Sequence, residues 1–138
     1  MIHGLCAFGG LPRRIAVRTY RKETFMNDCL FCKIIAGEIP STKVYEDEFV
    51  YAFNDINPQA PVHVLIIPKT HIDSAAEITA DNSALVAHIF EAAAKIAKQL
   101  GLDNGFRIVT NCGEIGCQSV HHLHFHLLSG KQLSENMD

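Results

Sequence analysis

No stretch of this sequence approaches the roughly 18 consecutive apolar residues that a membrane-spanning helix requires, so the chain reads as soluble rather than membrane-borne. Positive charge is not in surplus either. With a net charge of -3 and a pI near 6.2, there is no broad basic face to neutralise a run of phosphates, which excludes a general nucleic-acid binder. Any phosphate must then be held by a local site. Internal repeats are also lacking. At 138 residues, 48% hydrophobic and 20% charged, the chain has the composition of one ordinary globular domain with a single core. Nor is the cysteine count even: Cys6, Cys29, Cys32, Cys112 and Cys117 make five, and no signal-peptide pattern assigns them to an oxidising compartment. They are expected to be thiols or metal ligands in a cytoplasmic protein.

Residues 1–25 differ from the remainder of the chain. Arg13, Arg14, Arg18, Arg21 and Lys22 face only Glu23 as an acid. A basic, acid-poor leader of this kind suits an organellar transit peptide, but Thr19 is its one Ser or Thr before Thr24 and its amphipathic pattern is weak. An interaction tail is a second reading. The favoured one is a translated leader ahead of a true start at Met26, with the domain occupying residues 26–138.

Within that domain, Leu30, Phe31, Ile34 and Ile35 recur at helical spacing and stop at Gly37 and Pro40, predicting a short amphipathic helix. Residues 42–55 alternate around Glu46-Asp47-Glu48 and predict a hairpin. The near-continuous apolar run at residues 62–68 predicts a central strand covered on both faces and ended by Pro68. A long helix is expected from Asp81 to Leu100, capped by Gly101, and a strand over residues 105–111. The order of elements predicts an α+β fold, a mostly antiparallel sheet with helices on one side.

Four of the eight histidines fall within HHLHFHLL, residues 121–128. Side chains two apart on a strand share a face, so His122, His124 and His126 should line one side while Leu123, Phe125 and Leu127 anchor the other. A solvated polar face is the plain alternative. It does not account for a regular apolar set opposite and a Gly-containing loop immediately before. Three aligned imidazoles suit metal ligation, phosphate binding or nucleophilic catalysis. Neutral imidazole can attack phosphorus and divide one difficult displacement into two easier ones. His124, flanked on both sides, is the expected nucleophile, and Asn111, Gln118 and Ser119 in the preceding loop are on offer to phosphate oxygens and the leaving group.

At His122-Leu-His124-Phe-His126-Leu-Leu the sequence resembles the histidine triad (HIT) family. It is most similar to the nucleotide-binding branch that hydrolyses purine nucleoside phosphoramidates, through FNDINPQAPVHVLIIPKTHI, GFRIVTN and QSVHHLHFHLL, over Cys29 to about Leu133. The resemblance implies a five-stranded antiparallel sheet with two helices, dimerising into a ten-stranded sheet. It also implies a covalent nucleotidyl intermediate on His124, with His126 on the phosphate and Ser119 assisting the departing amine. Asn111 and Gln118 match phosphate-side contacts, and His71 and His122 match supporting histidines. Asp55 matches the carboxylate that takes the ribose hydroxyls. Leu30, Phe31, Ile34, Phe53 and Ile56 match an apolar slot for the purine, although a core would need the same residue types. Two departures stand out: Cys117 replaces a usual Gly beside Gly116, and the ending KQLSENMD lacks the Trp-Pro-Pro-like tail that tunes leaving-group preference.

Cys29 and Cys32 form a C-x-x-C, which alone is half a metal site, a redox pair or two buried thiols. The resemblance implies that with His71 and His122 they hold zinc. A closed Cys2His2 set with no open position is structural rather than catalytic. The expected partners are thus zinc, an AMP- or GMP-type purine nucleotide and a second copy of the chain, with neither membrane nor nucleic acid. The leading function is cleavage of an AMP–N bond through His124. Dinucleoside polyphosphate hydrolysis and a non-catalytic, zinc-containing nucleotide-binding protein are the alternatives. A nucleotidyl transferase is disfavoured, because His126 stands where those relatives carry Gln.

Overall fold

In the computed structural model, which describes residues 28–138, five strands form one sheet in the order β1-β2-β3-β5-β4. The leader 1–25, the start at Met26 and Cys6 lie outside the described residues. β1 is Lys43–Glu46, β2 Val50–Asn54, β3 Val62–Pro68, β4 Arg107–Val109 and β5 Phe125–Ser129, and every neighbouring pair is antiparallel. The hairpin turn is set by Asp47, whose Oδ1 accepts from the N–H groups of Phe49 (2.8 Å) and Val50 (2.9 Å) while Tyr45 donates to its Oδ2. No helix among these residues is long and apolar enough to cross a membrane.

Two helices flank the sheet, α1 at Leu30–Ile35 and α2 at Ser83–Gln99. They lie on opposite faces, which corrects the expectation of helices on one side. β3 supplies the reason, because its apolar run has no polar parity. Val64 and Ile66 join Val50, Ala52, Leu123, Phe125 and Leu127 under Ile89, Ala92, Ala93 and Ile96 of α2. Leu65 and Ile67 join Phe53, Phe31, Ile34 and Cys29 around α1. A strand apolar on both faces needs cover on both. The end of α2 follows its sequence signal: Gly101 has φ +69°, its N–H donates to Lys98 O (3.2 Å) and that of Leu102 to Ala97 O (2.9 Å), a Schellman cap.

The histidine segment departs in part from the expected strand. Its ladder begins only at Phe125, with His126 opposite Leu65 and Val109, so His122 and His124 precede it. Substitute bonds hold that stretch: Leu123 N donates to Ile72 O (2.6 Å) and Thr110 Oγ1 to His124 O (2.7 Å). The expected alternation survives. Leu123, Phe125 and Leu127 enter the α2 core, while the imidazoles of 122 and 124 meet the ring of Phe31 on the α1 side. The strand expected over 105–111 is likewise shorter, since only Arg107–Val109 finds a partner in β5.

Candidate active site and metal centre

His124 is buried against the edge of Phe31 and of His126, with ring centroids 5.2 and 5.1 Å away. Its Nδ1 lies 2.7 Å from the main-chain carbonyl of His122. A carbonyl oxygen only accepts, so the ring carries its hydrogen on Nδ1 and exposes a lone pair at Nε2. That Nε2 is buried and has no hydrogen-bond partner. Burial pushes the imidazolium pKa below its ordinary value, and the His122 carbonyl offsets this only in part. The ring is therefore a neutral base with one nitrogen held and the other available.

A second chain of imidazoles fixes His126. The N–H of Gln59 donates to His63 Nδ1 (2.9 Å), which leaves the hydrogen of His63 on Nε2, 2.9 Å from His126 Nδ1. His126 thus accepts at Nδ1 and carries its own hydrogen on Nε2. Asp55 joins this group, its Oδ2 3.4 Å from His63 Nε2 but without a hydrogen bond, while its Oδ1 accepts from Asn57 N at 2.8 Å. His63 escaped the sequence reading. The signal was available: one imidazole interrupts the otherwise apolar run of β3, on the face that carries Leu65 and Ile67.

The preceding loop is shaped by Gln118. Both of its amide hydrogens are used within the protein, on Asp73 O (2.7 Å) and Val120 O (3.0 Å), and its Oε1 accepts from Gly113 N at 3.0 Å. Gln118, expected as a phosphate contact, is thus committed to building the loop. Its N–H also donates to Gly113 O (2.9 Å), closing residues 113–118 into a tight turn. A Cβ on Gly116 would stand 2.4 Å from Cys112 O, so only glycine fits there. Cys117 takes φ +65°, a left-handed backbone that suits the Gly it replaces and costs a side-chain-bearing residue roughly 1 kcal/mol. Cys29, Cys32 and Cys112 are free thiols. Ser119 Oγ is buried without a partner, and Asn111 sits half-buried at the start of the loop.

The five residues expected to receive the purine differ in exposure. Phe31, Ile34 and Phe53 are core, with Phe31 and Phe53 edge to face at 5.5 Å, whereas Leu30 is 36% and Ile56 74% exposed. Phe31 supports the imidazoles from below.

Cys29, Cys32, His71 and His122 converge, their ligand atoms all within 4.8 Å of one another. Cys29 Sγ is 3.4 Å and Cys32 Sγ 3.6 Å from His122 Nδ1, Cys32 Sγ is 3.3 Å from His71 Nδ1, and the two Nδ1 atoms are 3.1 Å apart. A tetrahedron with Zn–N of about 2.0–2.1 Å and Zn–S of about 2.3 Å has edges of roughly 3.3–3.8 Å. Each imidazole donates its other nitrogen to an oxygen, His122 Nε2 to Pro68 O (2.9 Å) and His71 Nε2 to Asp73 Oδ1 (3.0 Å), which is how ligating histidines are oriented. Both Nδ1 atoms therefore point into the same space. Burial would push the Cys29 thiol up, but hydrogen bonds from His122 and His71 outweigh it and lower the pKa to about 5. Burial and the neighbouring Cys29 raise Cys32 to about 12. Sulfur and nitrogen donors at these distances fit zinc.

A family model described as HIT domain matches residues 36–133. The chain is 50% identical over 107 residues to a 14 kDa zinc-binding protein of Zea mays, covering 76% of this chain and 84% of that protein. A HIT family hydrolase from Clostridium thermocellum superposes with a TM-score of 0.78 at 51% identity, over 80% of this chain and 96% of that one. A histidine triad nucleotide-binding protein from Candida albicans does so at 0.66 and 38% identity, over 80% and 87%.

Proposed function

The chain belongs to the HIT domain family, and from that premise we propose that it is a cytoplasmic, zinc-containing homodimer that hydrolyses purine nucleoside 5'-phosphoramidates through His124. The observation that carries this reading is the state of His124: Nδ1 tied to the His122 carbonyl and Nε2 buried with nothing to bond. In the proposed reaction, Nε2 attacks the α-phosphorus and the P–N bond breaks. The departing amine takes a proton from the Ser119 hydroxyl or from His126 Nε2–H. Water then attacks the nucleotidyl-histidine and returns one of its protons to the group that gave one up, releasing AMP or GMP and restoring the imidazole. Asp55 Oδ2, buried and lacking a donor, suits a ribose hydroxyl. Asn111 and the loop N–H groups are assigned to the phosphate, and exposed Leu30 and Ile56 to the purine. The described relatives, a hydrolase, a nucleotide-binding protein and a zinc-binding protein, support the same reading.

Cys29, Cys32, His71 and His122 would hold the zinc, which when bound supplies cross-linking rather than chemistry, since all four positions are filled by protein. His122 would then be fixed while its carbonyl orients His124. The edge of β4, paired on one side only with β5, offers a second copy a place to extend the sheet.

The test is turnover of adenosine 5'-phosphoramidate against diadenosine polyphosphate, with mass spectrometry of acid-quenched protein for an added nucleotidyl group. Preference for the phosphoramidate and a nucleotidyl adduct on His124 are expected. Turnover that persists in His124→Ala rejects the nucleophile; binding of AMP with no turnover by the wild type favours the non-enzyme alternative.

A further inference from the structure

Asp73 touches both halves of the site. Its carboxylate Oδ1 is 3.0 Å from His71 Nε2, and its main-chain carbonyl accepts from Gln118 Nε2 at 2.7 Å. Gln118 in turn closes the loop through Gly113, using side chain (3.0 Å) and main chain (2.9 Å) alike. One residue earlier, Ile72 O accepts from the N–H of Leu123 at 2.6 Å, between His122 and His124. Residues 71–73 therefore form a rail, with an imidazole at the cysteine pair at one end and the loop amide at the other.

One end of that rail, the His71 ring, faces His122. Their Nδ1 atoms stand 3.1 Å apart, and both Nε2 atoms are engaged with oxygen acceptors. Two ring nitrogens so disposed need a proton or a metal ion between them. A metal ion bound there would fix the place of the His71 ring, and Asp73 would be fixed with it because its carboxylate holds that ring.

We propose that Asp73 is a positioning residue that couples metal occupancy at Cys29, Cys32, His71 and His122 to the geometry of loop 113–118, so that zinc and a nucleoside monophosphate strengthen each other's binding. The inference rests on the proposed function, in which this loop faces the phosphate. Such a coupling is reciprocal: whatever factor zinc contributes to AMP affinity, AMP contributes to zinc affinity. A factor of about ten is within the usual range for coupled sites.

The experiment uses the full chain, zinc-loaded and chelator-stripped. AMP affinity is measured by calorimetry, and zinc affinity by competition with a chromophoric chelator, with and without saturating AMP. Stripping is expected to weaken AMP binding about tenfold, and AMP to tighten zinc by the same factor. Asp73→Asn, whose amide oxygen still accepts from His71, keeps most of the coupling; Asp73→Ala loses it. In Gln118→Ala both ligands bind but neither affects the other. The loss in Asp73→Ala falls on KM for the phosphoramidate and leaves the pH profile of kcat in place. Should stripping unfold the protein, AMP would favour zinc through folding alone, and that linkage would survive in Gln118→Ala. Survival of the coupling in that variant therefore overturns the proposal, as does equal AMP affinity with and without zinc in the wild type. Absence of AMP binding to the zinc-loaded protein overturns the functional reading and the coupling with it.

Discussion

The carbonyl oxygen of His122 lies 2.7 Å from Nδ1 of His124, so one residue offers its ring to the metal centre and its backbone to the nucleophile. Because that bond places the hydrogen on Nδ1, the reactivity of Nε2 depends on the ring staying neutral. Burial depresses the His124 pKa below the ordinary 6.5. Protonation therefore sets in at lower pH than for a free imidazole, and the acid limb of kcat/KM against pH is expected below 6.5. Stability carries the same sign. The unfolded ring takes up its proton near 6.5 and the folded ring only at lower pH, so this contribution is complete above 6.5 and is lost as pH falls toward the folded value. Steady-state rates across pH 4.5 to 8 check the first point; an acid limb at or above the ordinary value would contradict it.

His63 should matter to rate more than to affinity. It transmits the Gln59 N–H bond to His126 Nδ1 at 2.9 Å and so fixes which nitrogen of His126 carries hydrogen. Replacing it by Phe removes the donor while filling the space, and kcat is expected to fall roughly a hundredfold, at the low end for a proton-transfer group. His63→Gln, able to accept from Gln59 and donate to His126, should recover much of the loss. Equal impairment of both variants would mean that the tautomer is not what His63 supplies.

How much of this was legible depends on which signals are local. The imidazole row could be read, because an apolar period-two set lies opposite and both sides found the predicted surroundings. The cysteine pair and its two histidines were read only through resemblance. Their sequence separations, 39 residues for Cys32 to His71 and 93 for Cys29 to His122, contain nothing that brings them together. The burial of β3 on both faces was legible, yet which elements cover those faces is decided elsewhere in the chain, so a helix on each face was not. Gln118 is assigned to phosphate by residue type and resemblance, and Phe31 to the purine by resemblance alone. Residue type does not disclose that the amide of one is spent on Asp73, Val120 and Gly113, or that the other is 1% exposed.

Phe31 consequently yields a prediction that separates packing from binding. Its ring meets Phe53, His122 and His124 at centroid distances of 5.5, 5.8 and 5.2 Å. Phe31→Ala should destabilise the fold by about 3–5 kcal/mol and lower kcat as the imidazoles lose their support. AMP affinity, measured where the variant remains folded, should change less than kcat. A loss confined to AMP affinity, with the melting temperature unchanged, would restore Phe31 to the purine slot.

Zinc binding should release protons in a number set by the four ligands. At neutral pH Cys29, lowered to about 5, is already a thiolate and has no proton to give. Cys32, raised to about 12, is a thiol and must give up one on ligating. Burial pushes the His71 pKa down, but contacts with Cys29 and Asp73 outweigh it and raise it above 6.5, so this ring gives up a further fraction. The total is between one and two protons per zinc at pH 7. Affinity must then rise with pH, by roughly ten- to hundredfold per unit near neutrality, since each released proton contributes one power of ten. Calorimetric titration of stripped protein at one pH, in two buffers of different ionisation enthalpy, reads the number directly. Release of no proton would mean that Cys32 is not a ligand. The closed four-ligand site, and the anchoring of His122 that depends on it, would then be wrong.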